Sequence, residues 1–476
     1  MKQYLFLEWK KWRKNELFFF SIIVVGLLYA YAFQHRYTTV IEQQAKIDTL
    51  RADAEKKIAL YRTLMDSAVS GTRQFPGFQT DPRNPAQLTR AVPRYAFMEQ
   101  TAYSILATGQ SDLFSQELTL NIWNKDPRLA SSDIKNPVQR MFGQLDPATV
   151  LILLLPLLIS AFTYNIISGE REGGTFKIGS VQAGSLRQWL MAKMLVPAMV
   201  LAGFFFLETI VLLAIYANGW ALMPLHLLAF ALLLLLYISF WCGLALLINL
   251  YNTSSAVNIV LMLGSWLFAA FILPSLFNLL ALQVFNVPSR VSFVNTYRNT
   301  YSEVERSDRQ KVLDKYFFDH PELVKPDTSQ KRYAVNELAK ASAIFYEHVH
   351  EKAEPVYADY FRRQRSADQF AEVASFFSPV TLFQYGLNEI SNTSQEQFLA
   401  FQDSAIHFRN NYLKKIKAKL VQDEELTISD IDKLPEFKLD AATLSIRAWR
   451  AIILLMAQCL LIFLVMQKRL RKPIYG

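Results

Sequence analysis

Gly169-Glu170-Arg171-Glu172-Gly173-Gly174-Thr175 lies between two runs, Thr149–Ile167 and Met194–Tyr216, each apolar and long enough to cross a bilayer. A spanning helix needs about 20 residues to cover roughly 30 Å of hydrocarbon at 1.5 Å per residue. With a charged connector held between two such runs, the remaining runs can be counted outward from it. They are Leu17–Phe33, Leu222–Leu250, Ala256–Leu282 and Ala448–Met466, six in all. The expected fold class is an all-α polytopic membrane protein with six transmembrane helices plus a mainly α-helical extracytoplasmic domain.

Composition agrees. Of 476 residues, 52% are hydrophobic and only 19% charged, against about 25% in soluble domains. The formal charge of +9 does not indicate nucleic acid, because the excess flanks the apolar runs and so serves membrane orientation. Cys242 and Cys459 both sit inside apolar runs, which leaves the polar segments without a disulfide framework. No histidine or cysteine spacing suggests a metal. The N-terminus is read as an uncleaved first span, since no small-residue cleavage site follows at Tyr29 to Gln34. Ahead of it, Leu5, Trp9 and Trp12 recur at helical spacing among Lys10, Lys11, Arg13 and Lys14, the pattern of an interfacial helix.

Orientation follows from the basic residues. With six spans, Lys10 to Lys14, Arg171, Lys177, Arg187, Lys193 and the tail Lys468, Arg469, Arg471 and Lys472 fall on one side. The positive-inside rule places that side, with both termini, in the cytoplasm. The chain divides into 1–33 (interfacial helix and first span), 34–145 (first extracytoplasmic segment), 146–282 (spans two to five), 283–447 (second extracytoplasmic segment) and 448–476 (sixth span and basic tail). In the first polar segment Ile47, Leu50, Ala54, Ile58, Tyr61 and Met65 predict an amphipathic helix extending the first span as a stalk. Phe75 to Pro85 reads as irregular loop. The second predicts helices over Thr300–Phe318, Ser329–His350, Val356–Phe376 and Thr393–Val421, and a short one after Ser429. Ser375–Leu387 is apolar but too short to span, with Ser378 as N-cap and Pro379 first in a helix. It lies either on the membrane surface or inside the outer domain. The two polar segments form either one domain or two loops against a partner.

Gly169 and Gly174 have the spacing of a phosphate-binding loop, but the lysine and hydroxyl residue required next are absent: the chain continues Thr175-Phe176-Lys177. Nucleotide binding there has no physical support, and no directly bound cofactor is expected. The stretch does break a membrane helix and place Glu170 and Glu172 in the first turn of a new one, where acids complement the dipole and present two carboxylates to a basic groove on a partner. An ordinary polar turn is the plain alternative. The amphipathic continuation through Leu186, Trp189 and Leu190 is longer than such a turn needs. Glu208 lies within span three, where an ionisable group costs about 2.5–3.5 kcal/mol and therefore faces the bundle or a wet cavity. A hydrogen bond to a neighbouring helix is favoured there over a substrate or proton site, as it is for His226. Asn249, Asn252 and Asn258 are assigned to the turn between spans four and five.

From Leu145-Asp146-Pro147 to Ser168–Thr175 and on to Leu190-Met191-Ala192-Lys193, the chain resembles the second span, coupling helix and third-span entry of type-2 ABC-transporter permeases. The insertions after spans one and five, with Ser378-Pro379 and Asn388-Glu389-Ile390-Ser391-Asn392-Thr393, resemble a bacterial branch of that family. Ala183-Gly184-Ser185 departs from the proline-serine pair common there. The resemblance implies a multi-pass subunit of the bacterial inner membrane, paired with a second permease, identical or homologous. It assigns Glu170, Arg171, Glu172, Gly174 and Thr175 to coupling with an ABC ATPase subunit, in two copies, that holds ATP and Mg. The implied function is an exporter. The alternative is a mechanotransmitter that acts on an extracytoplasmic partner protein. An enzyme has no nucleophile–base or metal constellation to support it.

Overall fold

The computed structural model describes residues 1–75, 80–120, 145–217, 219–251, 254–306, 311, 314–315, 318–319, 334–422, 424–439 and 445–471. Six helices are long and apolar enough to cross a membrane: Glu16–Val69, Pro147–Glu172, Leu186–Tyr216, Pro224–Tyr251, Ser255–Phe285 and Ile446–Leu470. The protein is an all-α polytopic membrane protein.

Helix α1 (Lys2–Trp12) lies along the start of the third span and buries Trp12 against Phe18, ring centroids 4.6 Å apart. Asn15 accepts a hydrogen bond from the Phe18 amide and opens α2 (Glu16–Val69), a single helix of 54 residues. No glycine or proline interrupts residues 34–69, so nothing separates the first span from the stalk. Short α3 (Pro85–Ala91) follows. Strands β1 (Arg94–Phe97) and β2 (Glu117–Leu120) then pair antiparallel, Arg94 opposite Leu120. These strands were not anticipated, because four residues carry too little alternation to read.

Asp146 begins α4 (Pro147–Thr163), its Oδ1 accepting from the Thr149 amide at 2.8 Å. Then come α5 (Ser168–Glu172), α6 (Phe176–Gln182), α7 (Leu186–Tyr216) and α8 (Pro224–Tyr251). The fifth span is α9 (Ser255–Leu267), a π-turn at Phe268–Ile272 and α10 (Leu273–Phe285). Pro274 lacks an N–H and crowds the carbonyl one turn back, which accounts for the widened turn just before it. Helix α11 (Arg290–Arg306) covers the start of the predicted Thr300–Phe318; most of the remainder falls outside the described residues. Helix α12 (Ala334–Ala374) carries Pro355 inside it, so two predicted helices are one. Then follow α13 (Pro379–Ile390), α14 (Gln395–Val421), α15 (Ile428–Asp432) and α16 (Ile446–Leu470).

The two polar segments share cores. Tyr61, Met65 and Leu88 from the first pack with Tyr412, Ile416 and Leu420 from the second, and Leu118 and Leu120 pack with Phe398 and Phe401. The linchpin between these cores and the spans is the loop 101–111. There Arg36 of α2, fully buried, donates to the Ser104 carbonyl and to Ser111 Oγ. The Thr108 amide donates to Asp146 Oδ2, and the Tyr103 hydroxyl to the Met223 carbonyl. Gly109, at φ +49°, lies where a Cβ would stand 2.3 Å from the Thr393 carbonyl oxygen. Only glycine suits that turn and that approach.

Helix α13 is neither on the membrane surface nor confined to the polar part. Ser378 Oγ donates to the carbonyl of Ala269, midway along the fifth span, and accepts from the Thr381 amide. The Gln458 side-chain amide, midway along α16, donates to the Phe376 carbonyl. From that depth α13 climbs back, stacking Phe383 on Tyr237 at 4.2 Å and ending where Glu389 accepts from Ser445 Oγ. Residues 375–390 are thus a re-entrant segment packed against α4, α8 and α16. Non-spanning backbone at such depth is tolerated because protein covers it.

Candidate functional site

The basic end of the bundle is built where α4 breaks and leaves backbone groups without helical partners. Asn249, fully buried near the end of α8, satisfies them. Its Oδ1 accepts from the Ile167 and Ser168 amides, and its Nδ2 donates to the carbonyls of Thr163 and Ala245. Asn258 of α9 donates to the Tyr164 carbonyl and to Ser168 Oγ, each at 3.1 Å. Ser168 and Ser255 hydroxyls pair at 2.8 Å. These asparagines therefore seat α5 on spans four and five, rather than merely forming a turn; Asn252 lies outside the described residues.

On this seat, both carboxylates of α5 have partners within the chain. Glu170 Oε1 accepts from Lys193 Nζ at 2.5 Å. Lys193 is 1% exposed, is 3.4 Å from Glu8 of α1, and lies over the Trp189 ring at 4.6 Å. Lys11 approaches the same carboxylate at 3.7 Å. A buried lysine beside two carboxylates is tolerated because their attraction offsets lost hydration. Glu172 accepts from the Ser255 amide at 2.7 Å and from its hydroxyl at 2.8 Å, closing the start of α9. The two carboxylates also tie α5 to α1, span three and span five, Glu170 from a half-buried position and Glu172 from an exposed one.

The other predicted residues shape what faces outward. Arg171 lies over the Phe176 ring at 5.1 Å. Gly174, at φ +71°, lets the chain reverse after α5, and the Thr175 amide and hydroxyl donate back to the Glu170 carbonyl. Beyond them α6 exposes Lys177, Ile178 (62%) and Val181 (81%), while Phe176 is buried and Gly179 passes close under Trp189. The exposed surface thus combines the apolar Ile178 and Val181 with Lys177 and Glu172. Sequence reasoning missed Glu8, Lys193 and Asn249 as parts of this site. One signal was readable: Glu8 falls on the stripe of Leu5 and Trp12, an acid on an apolar face that needs a buried cation.

Glu208 and His226 belong elsewhere and are not brought together. Glu208 faces α2 at Gly26, where a Cβ would stand 3.2 Å from its Oε2. That oxygen has no hydrogen-bond partner among the described residues. One residue on, Thr209 pairs with the Tyr29 hydroxyl at 2.8 Å. His226 is buried, its ring stacked 5.0 Å from that of Tyr103.

A second polar cluster surrounds a cavity of about 130 Å³ where α12, α13, α14 and α16 meet. Arg450 pairs with Glu372 at 2.9 Å and Arg447 with Glu396 at 3.6 Å. Gln395 donates to Asp368 at 2.5 Å. Burial, and then the neighbouring Glu396 charge, push the Asp368 carboxyl up to about 7.

Residues 290–440 match a family described as a domain of unknown function, DUF3526. The match opens with α11, includes the re-entrant segment and ends before the sixth span. No curated protein and no solved structure matches the chain.

Proposed function

We propose that this chain is the permease subunit of a bacterial ABC transporter, an exporter of the inner membrane, driven by separate ATPase subunits through α5 and α6. The observation that carries this reading is the wiring of α5. Within its five residues, Ser168, Glu170 and Glu172 are bound to α1, span three, span four and span five at once. A load applied there reaches most of the bundle, as an engine in another chain requires. The ridge of Ile178 and Val181 supplies the contact, while Glu170 and Glu172 transmit the load. ATP and Mg reside on the partner, and a second permease, identical or homologous, completes the transporter.

The test is affinity purification of the full chain from its native membranes. The expected result is a co-purifying ATP-hydrolysing chain that Ile178→Asp with Val181→Asp displaces without affecting insertion. Glu172→Ala should keep the ATPase bound but lower permease-dependent stimulation of hydrolysis about tenfold, the effect of losing about 1.4 kcal/mol of coupling. A wild-type chain that retains no such ATPase removes the assignment.

The re-entrant segment supports a second reading, in which the same assembly moves its polar part to act on an extracytoplasmic partner protein without passing a substrate. Helix α13 connects that part directly to α8 and α16. ATP-dependent flux across vesicles holding only permease and ATPase would decide against it.

A further inference from the structure

A groove of about 350 Å³ runs between α7, α8 and α16. It starts near Met191, Leu246 and Met466 at the basic end and reaches Ala198, Ser239 and Met456. From Met456 to Met466 is about 15 Å of helix rise, half the hydrocarbon thickness. The groove therefore traverses one leaflet. Its walls hold no charged side chain. Gly243 brings α8 close to α16, where a Cβ would stand 3.2 Å from Ile462.

The mouth is different. The Arg187 guanidinium lies 5.6 Å over the ring of Phe463, itself a wall residue, and that of Arg469 lies 5.5 Å over Tyr251, the last residue of α8. Among the described residues neither arginine is in an ion pair with a carboxylate. Two cations are thus held on aromatic rings at headgroup level, above a slot as deep as one acyl chain.

We infer that this groove binds one acyl chain of an anionic phospholipid from the leaflet at the basic end, its headgroup drawn to Arg187 and Arg469. Charge selects this occupant over a second copy, whose own helix ends on that side carry Lys10, Lys11, Lys468 and Arg469 and would be repelled. The inference rests on the membrane fold and the groove alone, and does not depend on the ABC reading.

The experiment reconstitutes the full chain in phosphatidylcholine vesicles containing a minor fraction of phosphatidylglycerol with a photoreactive group at mid-chain. Adducts are mapped by mass spectrometry. They should concentrate on residues 191–198 and 456–466, at higher yield than with an equally labelled phosphatidylcholine. Arg187→Gln and Arg469→Gln should each lower that preference about fivefold, the effect of one cation near a charged headgroup. Ser239→Phe, filling the deep end, should abolish the groove adducts; if it does not fold, the variants of the exposed Arg187 and half-buried Arg469 decide alone. Adducts spread evenly over the lipid-facing sides of α2 and α9, or equal yields from both lipids, overturn the inference. So does a disulfide between two copies through Leu460→Cys.

Discussion

Lys193 shows how one side chain sets the geometry of the basic end. Removing it leaves Glu8 and Glu170 with only the exposed Lys11, 3.7 Å from Glu170, and breaking a buried pair in this way costs about 3–5 kcal/mol. Lys193→Met should therefore lower the thermal unfolding temperature of the detergent-solubilised protein markedly, and adding Glu8→Gln with Glu170→Gln should recover most of the loss. Asp368 makes a different prediction. In the folded chain it keeps its proton up to about 7, whereas an unfolded aspartate loses it near about 4. Across that window the native state binds the extra proton, so stability falls as pH rises. Hydrogen-exchange protection at the α12–α14–α16 junction, corrected for intrinsic rates, should be greater at about pH 5.5 than at about pH 8, and Asp368→Asn should flatten the difference.

At the level of elements, the re-entrant α13 is held by close fits. A Cβ at Gly386 would stand 2.7 Å from Leu233 and 3.4 Å from Ala451 Cβ. Gly386→Leu should destabilise by about 1–3 kcal/mol through overpacking and speed proteolysis of residues 375–390. The local marks of this helix were legible: Ser378 and Pro379 show as cap and first residue in the sequence itself. Its location was not. An apolar face of 12 residues specifies that something must cover it, and only the tertiary partners Tyr237, Ala269 and Gln458 say what. The six spans were legible for the opposite reason, since bilayer thickness imposes their length without reference to neighbours. The site lies between these cases. The acidic turn announces itself by composition, but whether Glu170 faces a partner or Lys193 depends on how α1 and α7 pack, and no pattern along one helix records that.

For the whole molecule, the question is how a load at α5 reaches the polar part. Connections between the spans and the polar part include α2, the loop 101–111, the packing of α12 on α10, and α13 between α8 and α16. The Cβ separation of 3.4 Å between positions 386 and 451 is close to disulfide geometry. Gly386→Cys with Ala451→Cys, in a background with Cys242 and Cys459 replaced by alanine, should cross-link on mild oxidation. If α13 carries the motion, oxidation should stop ATP-driven change in the polar part, as read by labels on α14, and reductant should restore it. Motion that continues undiminished in the oxidised protein removes α13 from the route and leaves it to α2 and the other connections.

The route through α2 has a plain mechanical reading. An unbroken helix of 54 residues is about 80 Å long, of which roughly 30 Å lies in hydrocarbon. About 50 Å projects beyond it, ending in the packing of Tyr61 and Met65 on α14. Pivoting such a lever by about 5° at Asn15 would sweep its far tip through about 7 Å. Small strokes at one surface of the bilayer would then become large ones well clear of the other.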